Sequence, residues 1–130
     1  MGVAKHQALF ANIPSKDYFH LLNDGQPDKD KILDFLKFKK EDVAMATGLK
    51  KNSIRYEPNR IPIELIDRLR EWAIAINLVA SYFKEQEKTM LWFGTTNPLL
   101  GNMSPRDMIR LGRFKKLFTF IQNALDENVK

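Results

Sequence analysis

The residues with the clearest capacity for chemistry form a basic and polar run from Lys50 to Tyr56. Lysine and arginine bind phosphates, while asparagine and arginine can form paired hydrogen bonds with adenine and guanine respectively. The candidate DNA-binding residues in this run are Lys50, Lys51, Asn52, Ser53, Arg55 and Tyr56. Residues 37–60 hold seven Lys or Arg against three Asp or Glu, so the local charge is positive. Such a surface suits a nucleic acid, although an acidic protein partner or a plain solvated face would use the same residues.

The elements that would position this run form a helix-turn-helix. Such a motif needs two short helices joined by a tight turn, so that the second helix lies in the major groove of DNA. The spacing predicts helices over residues 40–47 and 50–56, with Gly48 in the turn because glycine tolerates a positive φ. Ala44 is small where the two helices would cross, and Ile54 would anchor the second helix. The alternative is an ordinary helical hairpin in which Gly48 only ends the first helix.

A second basic set lies near the end of the chain. Residues 106–116 hold five Lys or Arg against one Asp. These basic residues are Arg106, Arg110, Arg113, Lys115 and Lys116. Charge alone leaves three interpretations open for them, which are a solvated face, a DNA surface and a surface for a protein partner.

No arrangement of residues in the sequence indicates catalysis. The chain has no cysteine, and His6 and His20 are too few and too far apart for a metal cluster. The sequence also lacks a nucleophile–base spacing and a glycine-rich loop that could hold phosphates. Asp28 and Asp30 are better explained as partners of a helix dipole than as an acid–base pair. We therefore expect a binding protein that is not an enzyme and that carries no cofactor and no metal.

The composition is that of a globular helical chain. The chain has 130 residues, of which 44% are hydrophobic, and a net charge of +5 from 21 basic and 16 acidic residues. No useful stretch alternates with the period of a strand, so the predicted fold class is all-α. The longest apolar tract, residues 72–83, is shorter than the roughly 18–20 residues that span a bilayer. Without a signal-peptide pattern or cysteines, we expect a cytoplasmic protein with no membrane association.

Capping residues and apolar periodicity predict the remaining elements. Asp28 and Ser104 are typical helix N-caps, and Pro62 suits the first turn of a long helix that ends at Phe83. That helix carries two apolar stripes, which predicts a central position or an oligomer interface. The predicted helices cover residues 15–22, 28–38, 62–83, 89–93 and 113–126, another begins at Ser104, a breaker cluster covers residues 23–27, and a loop covers residues 95–103.

The segment of residues 87–125 carries a more specific pattern. Its motifs are Trp92-Phe93-Gly94, then Asn97-Pro98-Leu99-Leu100-Gly101, then Ser104-Pro105 opening a helix, then Gly112 and a final amphipathic helix. This ordered set resembles the C-terminal toxin-binding domain of the Xre/MbcA/ParS antitoxin family. In that family a helix-turn-helix and a long helix precede this domain, and the resemblance covers about residues 30–126.

The resemblance implies an antitoxin of a type II toxin–antitoxin system. It implies a RES-type toxin that consumes NAD, direct binding that covers the toxin's active site, and repression of the antitoxin's own promoter. The blocking element would be the final helix and tail, residues 121–130, whereas Trp92 is expected to belong to the core. The residues expected to contact the toxin are Asn97, Pro98, Arg106, Arg110, Arg113, Ile121 and Leu125.

The predicted organisation has three parts. Residues 1–27 are an N-terminal extension, residues 28–60 are the helix-turn-helix DNA-binding module, and residues 61–130 are the dimerisation and toxin-binding module. A homodimer or higher oligomer is expected because helix-turn-helix proteins usually read two half-sites. Two other functions fit the same residues, namely a stand-alone helix-turn-helix transcriptional regulator without a toxin partner and a protein-interaction or assembly module.

Overall fold

The computed structural model describes residues 16–129, and this part of the chain is mostly helical. Its helices are α1 (Lys29–Leu36), α2 (Lys40–Thr47), α3 (Ile63–Phe83), α4 (Gln86–Gly94), α5 (Pro105–Arg110) and α6 (Phe114–Val129). A short hairpin precedes them, formed by β1 (Leu22–Asn23) and β2 (Gln26–Pro27). The predicted all-α fold with a long helix is therefore confirmed. None of the helices described is long and apolar enough to cross a membrane. Predictions on residues 1–15, including His6 and Ser15, lie outside the described residues.

Several helix ends have the local causes that the sequence indicated. The Asp28 side chain accepts a hydrogen bond from the Lys31 amide (3.2 Å) and caps α1, and Ser104 Oγ accepts one from the Asp107 amide (3.1 Å) and caps α5. Gly48 ends α2 with φ of 76°, and its N–H donates to the Ala44 carbonyl (2.9 Å). These interactions satisfy backbone groups that a helix terminus leaves free.

The predicted helix over residues 15–22 is wrong for the residues that are described. The Asp17 carboxylate accepts hydrogen bonds from the Leu21 and Leu22 amides (2.9 and 2.8 Å), which holds the chain in a turn instead. A two-residue hairpin follows, in which Asp24 and Gly25 have φ of 52° and 81°. An Asp-Gly pair with both φ values positive is a preferred hairpin turn. The residues predicted as a breaker cluster, 23–27, therefore form a turn and parts of two short strands.

The predicted second helix of the helix-turn-helix, over residues 50–56, is also wrong. This segment forms only one 3-10 turn, Lys51–Ser53, in which the Ser53 amide donates to the Lys50 carbonyl (2.9 Å). Ile54 then returns to extended backbone with its side chain buried in the core. Pro58 follows four residues later and disfavours helical backbone at the residue before it. The first helix of the motif is thus present, and the helix that would enter a DNA groove is not.

The core of the molecule surrounds α3. Most of both predicted apolar stripes of this helix is buried within the protomer, including Leu65, Leu69, Trp72 and Ile76, while Ile66 and Phe83 are half-buried. The surrounding cluster draws side chains from α1, α2, α4, α5 and α6, so both predicted modules contribute to one hydrophobic core. The homodimer stays a prediction, and it gains no support from these stripes, because the protomer itself covers them.

Asn77 joins α3 to the segment before the hairpin. Its side chain is 6% exposed; Oδ1 accepts a hydrogen bond from the Tyr18 amide (3.0 Å), and Nδ2 donates to Asp17 Oδ1 (3.2 Å). Since Asp17 also binds the Leu21 and Leu22 amides, Asn77 fixes the whole turn against the helix. A buried polar side chain at this place is stable because its hydrogen bonds are made.

We predict that Asn77→Ala lowers the free energy of unfolding by about 1–3 kcal/mol, because the partly buried Tyr18 amide loses its acceptor and the buried Asn77 side chain is removed. Urea denaturation of the full chain measures this change. Asn123→Ala on the exposed side of α6 is the matched control, and it should shift stability by less than about 0.5 kcal/mol. Equal effects of the two substitutions would contradict the role given to Asn77.

Candidate protein-interaction site

The loop between α4 and α5 is a compact turn that presents Leu99 to solvent. The Asn97 side chain accepts a hydrogen bond from the Leu99 amide (2.9 Å), while the Asn97 amide donates to the Met103 carbonyl (3.0 Å). Gly101, with φ of 68°, lets the chain reverse. Leu99 is 79% exposed, and Pro98 is exposed beside it. Asn97 therefore shapes the loop, and Pro98 and Leu99 are the side chains that a partner could reach.

Arg106 packs against the end of α4. A Cβ atom at Gly94 would lie 2.6 Å from Arg106 Nη2, so the guanidinium group occupies the space that any larger residue would fill. Gly94 has no positive φ, so the close approach of Arg106 explains the glycine better than backbone conformation does. Pro105 is buried in the first turn of α5 and holds this helix in place.

The Arg106 guanidinium is short of partners. Its Nε–H is buried and meets no hydrogen-bond acceptor, and none of the ion pairs among the described residues includes Arg106. A buried donor without an acceptor costs about 1–3 kcal/mol. Because Arg106 as a whole is half-buried, a carboxylate could accept hydrogen bonds from its guanidinium nitrogen atoms other than the buried Nε.

The other two predicted arginines are already partly engaged. Arg110 donates to Asp107 Oδ1 (3.3 Å) and to the sulfur of Met45 (3.5 Å), which lies on α2. Arg113 is exposed and donates to the Met103 sulfur (3.5 Å). Arg110 thus links α5 to α2, whereas Arg106 has the greater unused capacity for a partner.

An apolar groove lies between the ends of α3 and α6 and one side of α4. Its volume is about 200 Å³, with space for one bulky apolar side chain. The groove is lined by Val79, Tyr82, Phe83, Trp92, Ile121, Ala124 and Leu125. Ile121 is 2% exposed, while Ala124 and Leu125 are half-buried, because α6 continues beyond its last fully buried residue. Of the two residues predicted on this helix, Leu125 forms a wall of the groove and Ile121 belongs mainly to the core.

Leu91 lies between this groove and Arg106. Successive helical residues are about 100° apart, so Trp92 and Gly94 point to nearly opposite sides of α4 and Leu91 points between them. Thr89 and Phe93 are buried on the inner side of α4, and Leu91 is 69% exposed. We call Leu91, the groove on one side and Arg106 on the other the α4 face. Trp92, which was expected in the core, is half-buried and contributes a wall of the groove.

The predicted DNA-binding residues lie away from the α4 face, in the segment that follows α2. Five of them are exposed, namely Lys50, Lys51, Asn52, Ser53 and Arg55, and Tyr56 is half-buried. An open pocket of about 610 Å³ lies here, and its lining residues define what we call the basic pocket: Lys40, Asn52, Ile54, Arg55, Tyr56 and Glu57. The pocket therefore brings together three of the six predicted residues, Asn52, Arg55 and Tyr56, although not on a helix.

Two ionisable groups at this surface have shifted pKa values. Lys51 Nζ lies 2.6 Å from Glu41 Oε1, and this hydrogen bond is the main reason that the pKa of the Glu41 carboxyl is below its usual value. Burial, followed by the charge of Asp30, raises the pKa of the Tyr56 phenol above its usual value. Tyr56 consequently keeps its proton at neutral pH and can donate a hydrogen bond. Lys51 is less available to a ligand, because its charge is already paired.

Sequence reasoning missed three features of the site, which are Leu91, the groove and the contact between Arg106 and Gly94. Leu91 had a detectable signal, because it stands outside the three-and-four spacing that Thr89 and Phe93 follow into the core. The groove had none, since it depends on how far three helices extend past one another. Among the residues described, no group of three or more His, Cys, Asp or Glu could hold a metal ion.

With a long central helix enclosed by shorter ones, the described part of the chain has an all-α fold, and α4 carries an exposed face. No protein-family profile and no curated protein matches it. Among solved structures, it is similar to a chain in the crystal structure of the M. tuberculosis MbcT–MbcA toxin–antitoxin complex. The TM-score is 0.50 at 21% sequence identity, and the match covers 78% of this chain and 92% of that chain. At this identity the likeness concerns the fold.

We predict that alanine at Gly94 changes mainly the position of Arg106, whereas alanine at Gly101 changes mainly the stability of the fold. Gly94→Ala should change the free energy of unfolding by less than about 1 kcal/mol, because the displaced atom is the end of a flexible side chain, but it should move the Arg106 guanidinium. Gly101→Ala has open space around it and a positive φ, so it should cost about 1–2 kcal/mol and leave Arg106 in place.

Urea denaturation and the NMR signal of the Arg106 Nε–H group measure the two effects. An unchanged Arg106 signal in Gly94→Ala, with a loss of stability as large as that in Gly101→Ala, would show that the close contact does not exist.

Proposed function

We propose that this chain is the antitoxin of a toxin–antitoxin pair and that it neutralises its toxin by direct binding through the α4 face. The observation that carries the proposal is the exposure of Leu91 and Leu99 within a motif-bearing segment that a simple core would have buried. The fold likeness to a chain of a toxin–antitoxin complex supports it, and so do the motifs that resemble an antitoxin's toxin-binding domain.

The chemistry of the α4 face suggests how a protein partner would bind. The groove would receive one bulky apolar side chain of the toxin, and Leu91 would be covered beside it. Burying one such side chain contributes about 1.5–3 kcal/mol, so two anchors already supply a substantial part of a stable complex. Arg106 would bind a toxin carboxylate, which would give the cation a partner that the free protein lacks.

We further propose a class of toxin and the segment of this chain that blocks it. The sequence motifs favour a RES-type enzyme that consumes NAD, and the segment from Ile121 to Lys130 would lie over its active site. The overhang of α6 past Ile121 supports a role of this segment in contact with the partner. Any NAD chemistry would then belong to the toxin, and this chain would act by occlusion, as a cytoplasmic binding protein that is not an enzyme.

Repression of its own promoter, as a dimer or higher oligomer, stays a prediction. The exposed cations near the basic pocket support contact with DNA, while the second helix that sequence-specific readout would use is not formed. A stand-alone regulator is therefore the weaker candidate, because it would depend on that helix alone.

We predict that Leu91→Glu weakens the complex with the toxin by about 30-fold or more, which corresponds to roughly 2 kcal/mol, because it places a charge in a buried contact. If a gene next to the one for this chain encodes a RES-type protein, that protein is the toxin to use. Calorimetry with the purified proteins measures the affinity, and growth of cells that express both proteins measures neutralisation.

Ile63→Glu is the matched control, because Ile63 is 70% exposed on the first residue of α3 and lies outside the α4 face. It should leave binding within about two-fold of the original chain. Equal binding by both variants would remove the α4 face from the interface, and the absence of any complex with the unaltered chain would overturn the antitoxin proposal itself.

Removal of residues 126–130 tests the tail separately. Asp126 and Glu127 are exposed, so this truncation should leave the core intact, whereas a longer one would remove the buried Ile121. If the tail covers the toxin's active site, the truncated chain should still bind but should no longer inhibit NAD consumption. Full inhibition by the truncated chain would refute the role of the tail.

A further inference from the structure

The basic pocket is a concave surface with unused positive charge. Lys40 and Arg55 line it and Lys50 is exposed in the same segment, and none of the ion pairs among the described residues includes any of the three. The Asn52 amide and the Tyr56 phenol add neutral hydrogen-bonding groups to the lining. Glu57 is the acidic side chain of the pocket. Unpaired cations around a polar concavity are suited to an anion.

The backbone of this surface limits what it can recognise. Base edges in the major groove are reached by several side chains of one helix or strand pair that enters the groove. Here residues 51–53 form one 3-10 turn, Ile54 is extended and buried, and residues 57–60 form a further turn closed by the Arg60 amide and the Glu57 carbonyl (2.9 Å). Such a surface can lie against a sugar–phosphate backbone, but it has no element that projects into a groove.

We infer that the basic pocket binds the phosphodiester backbone of a nucleic-acid duplex without reading its sequence, through Lys40, Lys50 and Arg55. Lysine and arginine at this surface neutralise phosphates and release counterions, and neither process depends on the bases. This inference concerns a surface other than the α4 face, so it holds or fails independently of toxin binding. It excludes specific recognition of the promoter through the basic pocket, so the predicted promoter repression would need another surface.

Fluorescence anisotropy with two labelled 30-base-pair DNA duplexes tests the inference, one from the chain's own promoter and one with the same bases scrambled. The two affinities should agree within about two-fold, and three neutralised phosphates predict a slope of about −2.7 for log K against log salt concentration. A preference of ten-fold or more for the promoter would overturn the inference, and so would the absence of binding to both duplexes at 50 mM salt.

Charge variants locate the surface. Lys40→Ala with Arg55→Ala should reduce the slope to about −0.9, whereas Lys115→Ala with Lys116→Ala removes the same net charge from exposed positions on α6 and should leave the slope unchanged. Glu57→Gln should raise the affinity for both duplexes by about three-fold or more, because it removes a negative charge that repels the phosphates. Equal losses in the two double variants would show that only net charge matters and would refute the pocket.

The source of the phosphates and the class of ligand are decided in the same assay. A duplex RNA that binds as well as DNA, or less well, supports the inference and identifies which duplex the pocket prefers. Labelled polyglutamate provides the test for an acidic protein partner. If it binds more tightly than either duplex and is released by the Lys40 and Arg55 substitutions, the pocket is a site for acidic protein and the phosphate assignment is wrong.

Discussion

The burial of α3 on nearly all its sides is the constraint on which the rest of the structure depends. A helix with two apolar stripes cannot remain in water, and here the chain on both sides of it in sequence supplies the cover. α1 and α2 pack against it from the N-terminal part, and α4 and α6 pack against it from the C-terminal part. Trp72 shows the arrangement directly, because it lies in the centre of α3 and meets Phe38, from the segment between α1 and α2, edge to face at 5.6 Å.

Elements with a local cause could be predicted from the sequence, and elements decided by distant contacts could not. Asp28, Gly48 and Ser104 act on their own neighbours, so α1, α2 and α5 begin or end where those residues stand. Residues 50–56 look helical by local pattern, yet Ile54 is buried in the shared core with extended backbone. Tertiary packing often overrides weak helical propensity in such short segments.

The candidate site shows the same division. The residue types of the loop from Asn97 to Gly101 were informative, because turn chemistry is local. The sequence could not predict which arginine lacks an ion-pair partner, because Arg106, Arg110 and Arg113 look alike in sequence and differ only in the residues that pack against them. Arg110 donates to Asp107 and to the Met45 sulfur, and Arg113 donates to the Met103 sulfur. Arg106 instead packs against the backbone of Gly94.

The contact between Arg110 and Met45 joins α5 to α2 at the surface, just as the core joins the parts of the chain before and after α3 inside. A fragment that carried either half alone would expose the apolar side chains that the other half now covers, and it would aggregate or collapse instead of displaying its binding surface. The basic pocket and the α4 face consequently share a single folding equilibrium. Neither surface can therefore be transferred to another protein as an independent domain. Each loss of core stability lowers the concentration of folded protein and so weakens the function of both surfaces together.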